Sequence, residues 1–263
     1  MPFSQRTMPA DRSWRMARQP RLILPGVAVH VIQRGNNRGS CFKQDNDYLM
    51  YLASLRQLSI KFQCDVHAYC LMTNHVHLLL SPDLAGGCTA LMKALGQRYV
   101  QYFNARHGRT GTLWEGRFRS CLAESAGYVL ACYRYIELNP VRANMVAHPS
   151  AYPWSSYAVN AGIRADALLL PHTEFLALSA DAAECHRLYR RLVDDGIEPS
   201  LLQAIRDATN GGYPLASEVF KSGLASSSRK LVRGRAGRRK SGSDPDSSQL
   251  GSDPDLFSAG GVS

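Results

Sequence analysis

The sequence predicts an α+β domain: a ferredoxin-like antiparallel sheet with helices on one face, followed by a small helical C-terminal appendage. Three observations carry this. Over the first 140 residues the apolar periodicity changes in the order strand, helix, strand, strand, helix, which is the β-α-β-β-α core of that architecture. Only Thr73 and Asn74 separate the two middle strands, so these form a hairpin and lie antiparallel. And 45% of the 263 residues are hydrophobic, enough for a sizeable core.

The elements follow in order. "GVAVHVIQRG" (26–35) is rich in β-branched residues and closes on Gly35, a strand signature. "NNRGS" is a loop. From 47 to 62, apolar residues fall at 48, 51, 52, 55, 58 and 62, the spacing of a helix face, with Asp45 or Asn46 expected as its cap. "CDVHAYCLM" (64–72) and "HVHLLLS" (75–81) are the hairpin strands. Thr89 is expected to cap a helix running to about 107, with Leu91, Leu95, Tyr99 and Phe103 as its stripe. "HGRTGTLWEGRFRS" (107–120) is a turn and an arginine-rich extended stretch. "SAGYVLACYRYIELNP" (125–140) is a helix expected to stop at Pro140, since the residue before a proline disfavours helix. Residues 148–162 are a loop, and short helices are expected over 172–178, 181–194, 198–207 and 217–224.

The division that results is a basic flexible arm (1–20), the main domain (21–160), the helical appendage (161–225) and a low-complexity tail (226–263) expected to be disordered. Residues 1–38 carry seven arginines and one Asp, net +6; residues 226–240 carry seven basic residues and no acid, net +7. Residues 241–263 are −4, which leaves +1 for the middle of a chain whose total is +10. Two basic arms on a nearly neutral body suit a polyanion such as nucleic acid, or serve solubility. No run approaches the roughly 18 apolar residues of a membrane helix. The first twenty residues lack the apolar stretch of a secretory signal, so the cytoplasm is expected. The seven cysteines form no CxxC pair and are expected to be small buried thiols in a reducing compartment.

In a strand, His75 and His77 point to one face and Val76 to the other. At about 3.3 Å per residue their Cα atoms lie about 7 Å apart, which lets both imidazoles reach one metal ion. Val76 and Leu79 are then expected beneath the helices, with the histidines on the open face and Gln33 or His30 nearby. Two surface histidines are the plainer reading of this pair alone. Tyr135 and Asn139, four apart, share a helix face. A phenol can be a nucleophile and an amide oxygen can ligate a hard cation. Equally, the two can be a packing tyrosine and a helix C-cap. Arg117 and Arg119 flank Phe118 near Trp114; arginines contact phosphates and aromatic rings stack bases, while core packing would account for the rings as well. Arg34 and Arg38, beside "GNN", are also placed for phosphate.

The stretches "TNHVHLLL", "GTLWEGRFRS", "YIELNPVRANMV" and "YPWSSY", in that order, resemble the single-tyrosine HUH transposases, and within them the REP-associated tyrosine transposase branch. The resemblance spans about residues 20–160. It implies the HUH endonuclease fold, with His75, His77 and Asn139 as ligands of Mg²⁺ or Mn²⁺. It also implies Tyr135, in preference to Tyr128 or Tyr133, as the nucleophile. The activity implied is cutting and rejoining of single-stranded or hairpin DNA, such as REP-like palindromes, through a 5′-phosphotyrosine, by a monomer rather than the dimer of some relatives. The alternative is a non-catalytic nucleic-acid-binding protein, either a domesticated relative or an RNA-binding module. Residues 208–231 resemble the C-terminal region of longer members and hint at a helix-turn-helix, or are a plain helical bundle with a basic tail.

Overall fold

The structure, a computed structural model, describes residues 21–227. The expected basic arm and almost all of the expected tail lie outside them. Strands β1 (Ala28–Arg34), β2 (Cys64–Met72), β3 (His75–Pro82) and β4 (Arg119–Ala123) form one sheet in the order β2-β3-β1-β4. Every neighbouring pair is antiparallel. This is the predicted ferredoxin-like arrangement, and β2 and β3 are the predicted hairpin around Thr73 and Asn74.

Alternation divides the side chains of the sheet. Val29, Val31, Val66, Val76, Leu78 and Leu80 point to one face, where they are buried together with Tyr51, Leu55, Leu91, Leu95 and Tyr99. Those partners come from α1 (Asp45–Lys61) and α2 (Gly87–His107), the two helices that cross over this face. Two caps differ from expectation. α1 begins with a capping box in which Asp47 Oδ2 accepts from the amides of Lys43 (2.8 Å) and Gln44 (3.1 Å), so Gln44 rather than Asp45 or Asn46 is the N-cap. α2 starts two residues before Thr89, after Gly86, which makes no side-chain cap and whose φ of 83° suits glycine.

The second face is covered too, where an open face was expected. α3 (Ala126–Glu137), capped by Ser125, lies against it, and α4 (Asn139–Arg142) follows after a break at Leu138. Pro140 therefore starts a short helix instead of stopping the long one: in a first turn its missing N–H has no partner to lose. The stretch expected as a loop (148–162) contains the short helix α5 (Tyr157–Asn160), a single turn too brief to show a periodic stripe. α6 (Thr173–Leu176), α7 (Ala182–Asp194), α8 (Pro199–Gly211) and α9 (Glu218–Ser227) fall within a few residues of the predicted short helices. Phe175, Tyr189, Ile205 and Ala208 from this region share one core with Ala68, Leu79, Cys121, Val129 and Ile136 of the sheet and α3. Leu79 is thus on the histidine face, not beneath α1 and α2; it is two residues from His77, and strand periodicity puts them together.

Both sheet edges are occupied. "YPWSSY" runs along β2, with Leu71 N donating to Trp154 O (2.9 Å) and Tyr69 N to Ser156 Oγ (2.9 Å). Leu215 N donates to Leu122 O of β4 (2.8 Å). Coverage of this kind removes the free strand edges on which other chains could pair. All seven cysteines are buried free thiols, as expected.

Candidate active site

The second face of the sheet assembles the site. β3 presents His75 and His77, β1 presents His30 and Arg34, and α3 brings Tyr135 over them. The Tyr135 ring lies 5.7 Å from the His77 ring and 5.4 Å from the His30 ring, edge-on to both. His75 and His77 rings are 4.9 Å apart. The phenol, the two predicted ligand histidines and His30 therefore converge. Asn139 stands at the first position of α4, one turn beyond Tyr135. Gln33 does not take part: it is one residue out of phase with His30 and points to the α2 side. Of the rival tyrosines, Tyr133 is fully buried and its hydroxyl accepts from His172 N (3.0 Å).

A hydrogen-bond chain assigns the imidazole tautomers. Thr209 Oγ1 donates its single proton to the Ile205 carbonyl (2.8 Å). Toward His30 Nδ1, at 3.1 Å, it can therefore only accept. So His30 carries its proton on Nδ1 and offers an Nε2 lone pair, 3.0 Å from His77 Nδ1. His77 in turn carries its proton on Nδ1, and its Nε2 lone pair is free. His75 reaches the same state by another route. Asn74 Nδ2 donates to Arg38 O (3.2 Å), so its Oδ1 accepts from His75 Nδ1 (2.6 Å). Both imidazoles thus present an unprotonated Nε2, the form a metal ion requires, with the second nitrogen held by an outer partner.

Burial keeps these rings neutral. It lowers His30 to about 3, with Arg142 adding to the effect. His75 falls to about 4 through burial and the nearby Arg34. His77 is pushed well below its ordinary value by burial and then by His75, His30, Arg142 and Arg34. Asn139 Nδ2 donates to Tyr135 O (3.1 Å), which commits its amide nitrogen and leaves Oδ1 as the available donor atom. Two imidazole nitrogens and an amide oxygen could hold Mn²⁺ more readily than Mg²⁺, for which imidazole is a soft ligand. Among the described residues there is no cluster of three or more His, Cys, Asp or Glu placed to hold a metal.

Arg142 was not anticipated. Its guanidinium carbon sits 4.5 Å from the centre of the Tyr135 ring, and Nη2 donates to Tyr135 O. Buried Nη1 has no partner among the described residues. Burial lowers its pKa to about 10, still a cation at neutral pH. The signal was in the sequence: Arg142 is seven residues after Tyr135, two turns along the same face, but a helix expected to end at Pro140 hid it. Thr209 lies 179 positions from His30, and no local pattern announces it.

The site opens where His75 is half-exposed, and Arg34, its register partner, is exposed there with Arg38. Arg119 is exposed at the start of β4, donating to Asn210 Oδ1 (2.6 Å). Trp114 and Arg117 belong to the other side of the sheet. Arg117 is exposed, and Trp114 is packed beside Tyr51 and Tyr99.

No curated protein matches the chain. Among solved structures, a REP-associated tyrosine transposase bound to a REP hairpin aligns at 15% identity and TM-score 0.48, over 60% of this chain and 99% of the other. A Deinococcus radiodurans R1 protein assigned as a transposase aligns at 16% identity and TM-score 0.32, over 43% of this chain and 91% of the other. The tRNA(His) guanylyltransferase of Saccharomyces cerevisiae aligns at 11% identity and TM-score 0.37, over 77% of this chain and 86% of the other. Residues 24–139 match the IS200-like transposases as a family. That segment contains the sheet, both histidines, Tyr135 and Asn139. Over that segment the chain is similar to the IS200-like transposases.

Proposed function

We propose that the protein cuts and rejoins single-stranded, hairpin-associated DNA through a covalent bond to Tyr135, in the manner of the REP-associated branch. The observation that carries this reading is the edge-on approach of the Tyr135 phenol to His77 at 5.7 Å, beside two imidazoles whose Nε2 lone pairs are free. The ordered motifs around these residues support the choice of branch.

His75, His77 and Asn139 would hold the divalent cation, Mn²⁺ or Mg²⁺. When bound, it would polarise a scissile phosphate and stabilise the charge that builds on it. The rest is the work of the chain. Tyr135 Oη attacks phosphorus, the P–O3′ bond breaks, and the strand is left with a free 3′-OH and a 5′-phosphate esterified to the phenol. The phenolic proton is lost as the bond forms, and the 3′ oxygen gains one. Arg142 places positive charge against the ring as negative charge develops there, and its unpartnered Nη1 is a donor for a phosphate oxygen. Arg34 and Arg38, at the mouth, bind the flanking backbone. The ester conserves the phosphodiester bond, so an incoming 3′-OH reverses the step without ATP.

The test is an adduct. Purified protein is incubated with Mn²⁺ and single-stranded or hairpin DNA, and covalent complexes are mapped by mass spectrometry. Tyr135 is expected to carry the 5′-phosphate. Tyr135→Phe is expected to bind DNA unchanged and form no adduct. Attachment at Tyr128, or binding with no adduct under any condition, would overturn the reading; the latter would mark a non-catalytic binder.

A further inference from the structure

On the face of the sheet away from Tyr135, a cleft of about 830 Å³ lies between α2 and the 112–118 loop. Gln33 and Trp114 are only 8% and 6% exposed, yet Gln33 Oε1 and Trp114 Nε1 have no partner among the described residues. Both residues line the cleft. A buried acceptor and a buried donor left unpaired are costly, so each is open to an incoming partner.

Gly96, in the middle of α2, borders the same spot. A Cβ there would stand 3.6 Å from Gln33 Nε2 and 3.6 Å from Trp114 Nε1. A glycine in a helix interior destabilises it relative to alanine. Here the missing side chain keeps the polar floor uncovered. Met92, Val100 and Phe118 supply apolar walls, while Arg21, Lys93 and Arg117 put cations on the lining. Arg21 lies 3.7 Å over the Phe118 ring and donates to Phe118 O (3.0 Å), which holds its charge in place.

We propose that this cleft is a pocket for one unpaired nucleotide of the bound DNA strand. A nucleobase is planar and carries a donor beside an acceptor on its edge, which answers Trp114 and Gln33; the cations take the attached phosphates. The site is separate from the cleavage centre and holds the strand without touching the reacting phosphate. The proposal rests on the DNA reading above, and the experiment separates the two.

The test follows the indole N–H signals of the full ¹⁵N-labelled chain, whose three tryptophans are resolved and assigned with Trp114→Phe. The probes are a mixed-sequence single-stranded dodecamer, a dodecamer of the same backbone with abasic sugars, and the four deoxynucleoside monophosphates. The base-bearing strand is expected to move the Trp114 signal and the abasic strand to leave it in place. Gln33→Leu and Gly96→Leu are each expected to weaken that strand's binding about tenfold, within the range for loss of one base contact, with the other two indole signals unchanged. A shift with the monophosphates alone would make the cleft a free-nucleotide site and overturn the proposal, as would equal shifts with both strands. A strand that forms the Tyr135 adduct without moving Trp114 would sink the pocket and spare the cleavage reading. A chain that binds no strand would sink both.

Discussion

A threonine hydroxyl has one proton, and Thr209 gives it to the Ile205 carbonyl; what is left for His30 is a lone pair. The state of His77 follows from that. In Thr209→Val the His30 Nδ1 proton has no acceptor, so His30 gains by moving it to Nε2, where it faces His77. His77 must then carry its own proton on Nε2, and the lone pair proposed to hold the metal is gone. Loss of an outer partner of this kind costs about 10–100-fold in metal affinity. Thr209→Val is therefore expected to weaken Mn²⁺ binding, measured by electron paramagnetic resonance of the free ion, by that factor. In the metal-free chain the His77 imidazole ¹⁵N shifts should report the exchanged tautomer. Thr209→Ser should restore both. Wild-type Mn²⁺ affinity in the valine variant would show that the chain of hydrogen bonds does not reach the ligand. The histidine pair and the Tyr135–Asn139 pair were legible because periods of two and four are local properties of a strand and a helix. Thr209 was not, because only the tertiary fold brings α8 to β1.

The helical elements are tied to the site by one buried carboxyl. Glu137, at the end of α3, accepts from Ser156 Oγ, from Asn160 Nδ2 (2.7 Å) and from Tyr189 Oη (2.5 Å). Ser156 and Asn160 also bind β2, through Tyr69 and through His67 O. A single side chain thereby joins α3, α5, α7 and the sheet edge. Glu137→Leu would leave three buried donors without an acceptor. At about 1–3 kcal/mol per orphaned group, partly relieved by rotation, the loss is on the order of 3 kcal/mol. For a folded region of this size that is about 6–12 °C in Tm, to be read by thermal unfolding; a shift of less than about 2 °C would refute the clamp. Sequence periodicity located α3 and the helices from α6 onward, because each has its own apolar stripe, but not α4 or α5, each only four residues long. It misjudged the α3–α4 junction, since proline forbids the interior of a helix and welcomes its first turn, and only the backbone at Leu138 decides which applies. "YPWSSY" was legible as a motif but not as an edge cover, which depends on a strand more than eighty residues earlier.

At the scale of the whole molecule, a sheet enclosed on both faces takes histidines out of water, and this makes the fold sensitive to acid. His30 is lowered to about 3, His67 and His75 to about 4, and His77 well below its ordinary value, burial being the leading cause in each. The unfolded chain protonates these groups near 6.5, while the folded chain resists. Between about pH 4 and 6.5 the unfolded state therefore binds more protons, and stability rises with pH over that window. The stabilisation from neutral, buried histidines is complete above 6.5 and is lost as pH falls toward the folded values. Glu137 opposes this. Burial raises it to about 7, against three donors that pull it down. Its contribution is complete below about 4.5 and fades as pH rises through 7. Asp65, raised by burial and by Asp83, acts with Glu137, and His172, lowered by burial, acts with the other histidines; the lowered histidines remain the larger set, so the slope keeps their sign. In EDTA, the urea midpoint of the chain is expected to be lower at pH 5 than at pH 7. Replacing His67, which bridges Leu170 O (2.7 Å) and Ser81 Oγ (2.8 Å) away from the site, with glutamine should flatten that dependence without altering the Mn²⁺ affinity. A midpoint equal or higher at pH 5 would mean that water reaches these rings in the folded chain and that the second face of the sheet is not closed.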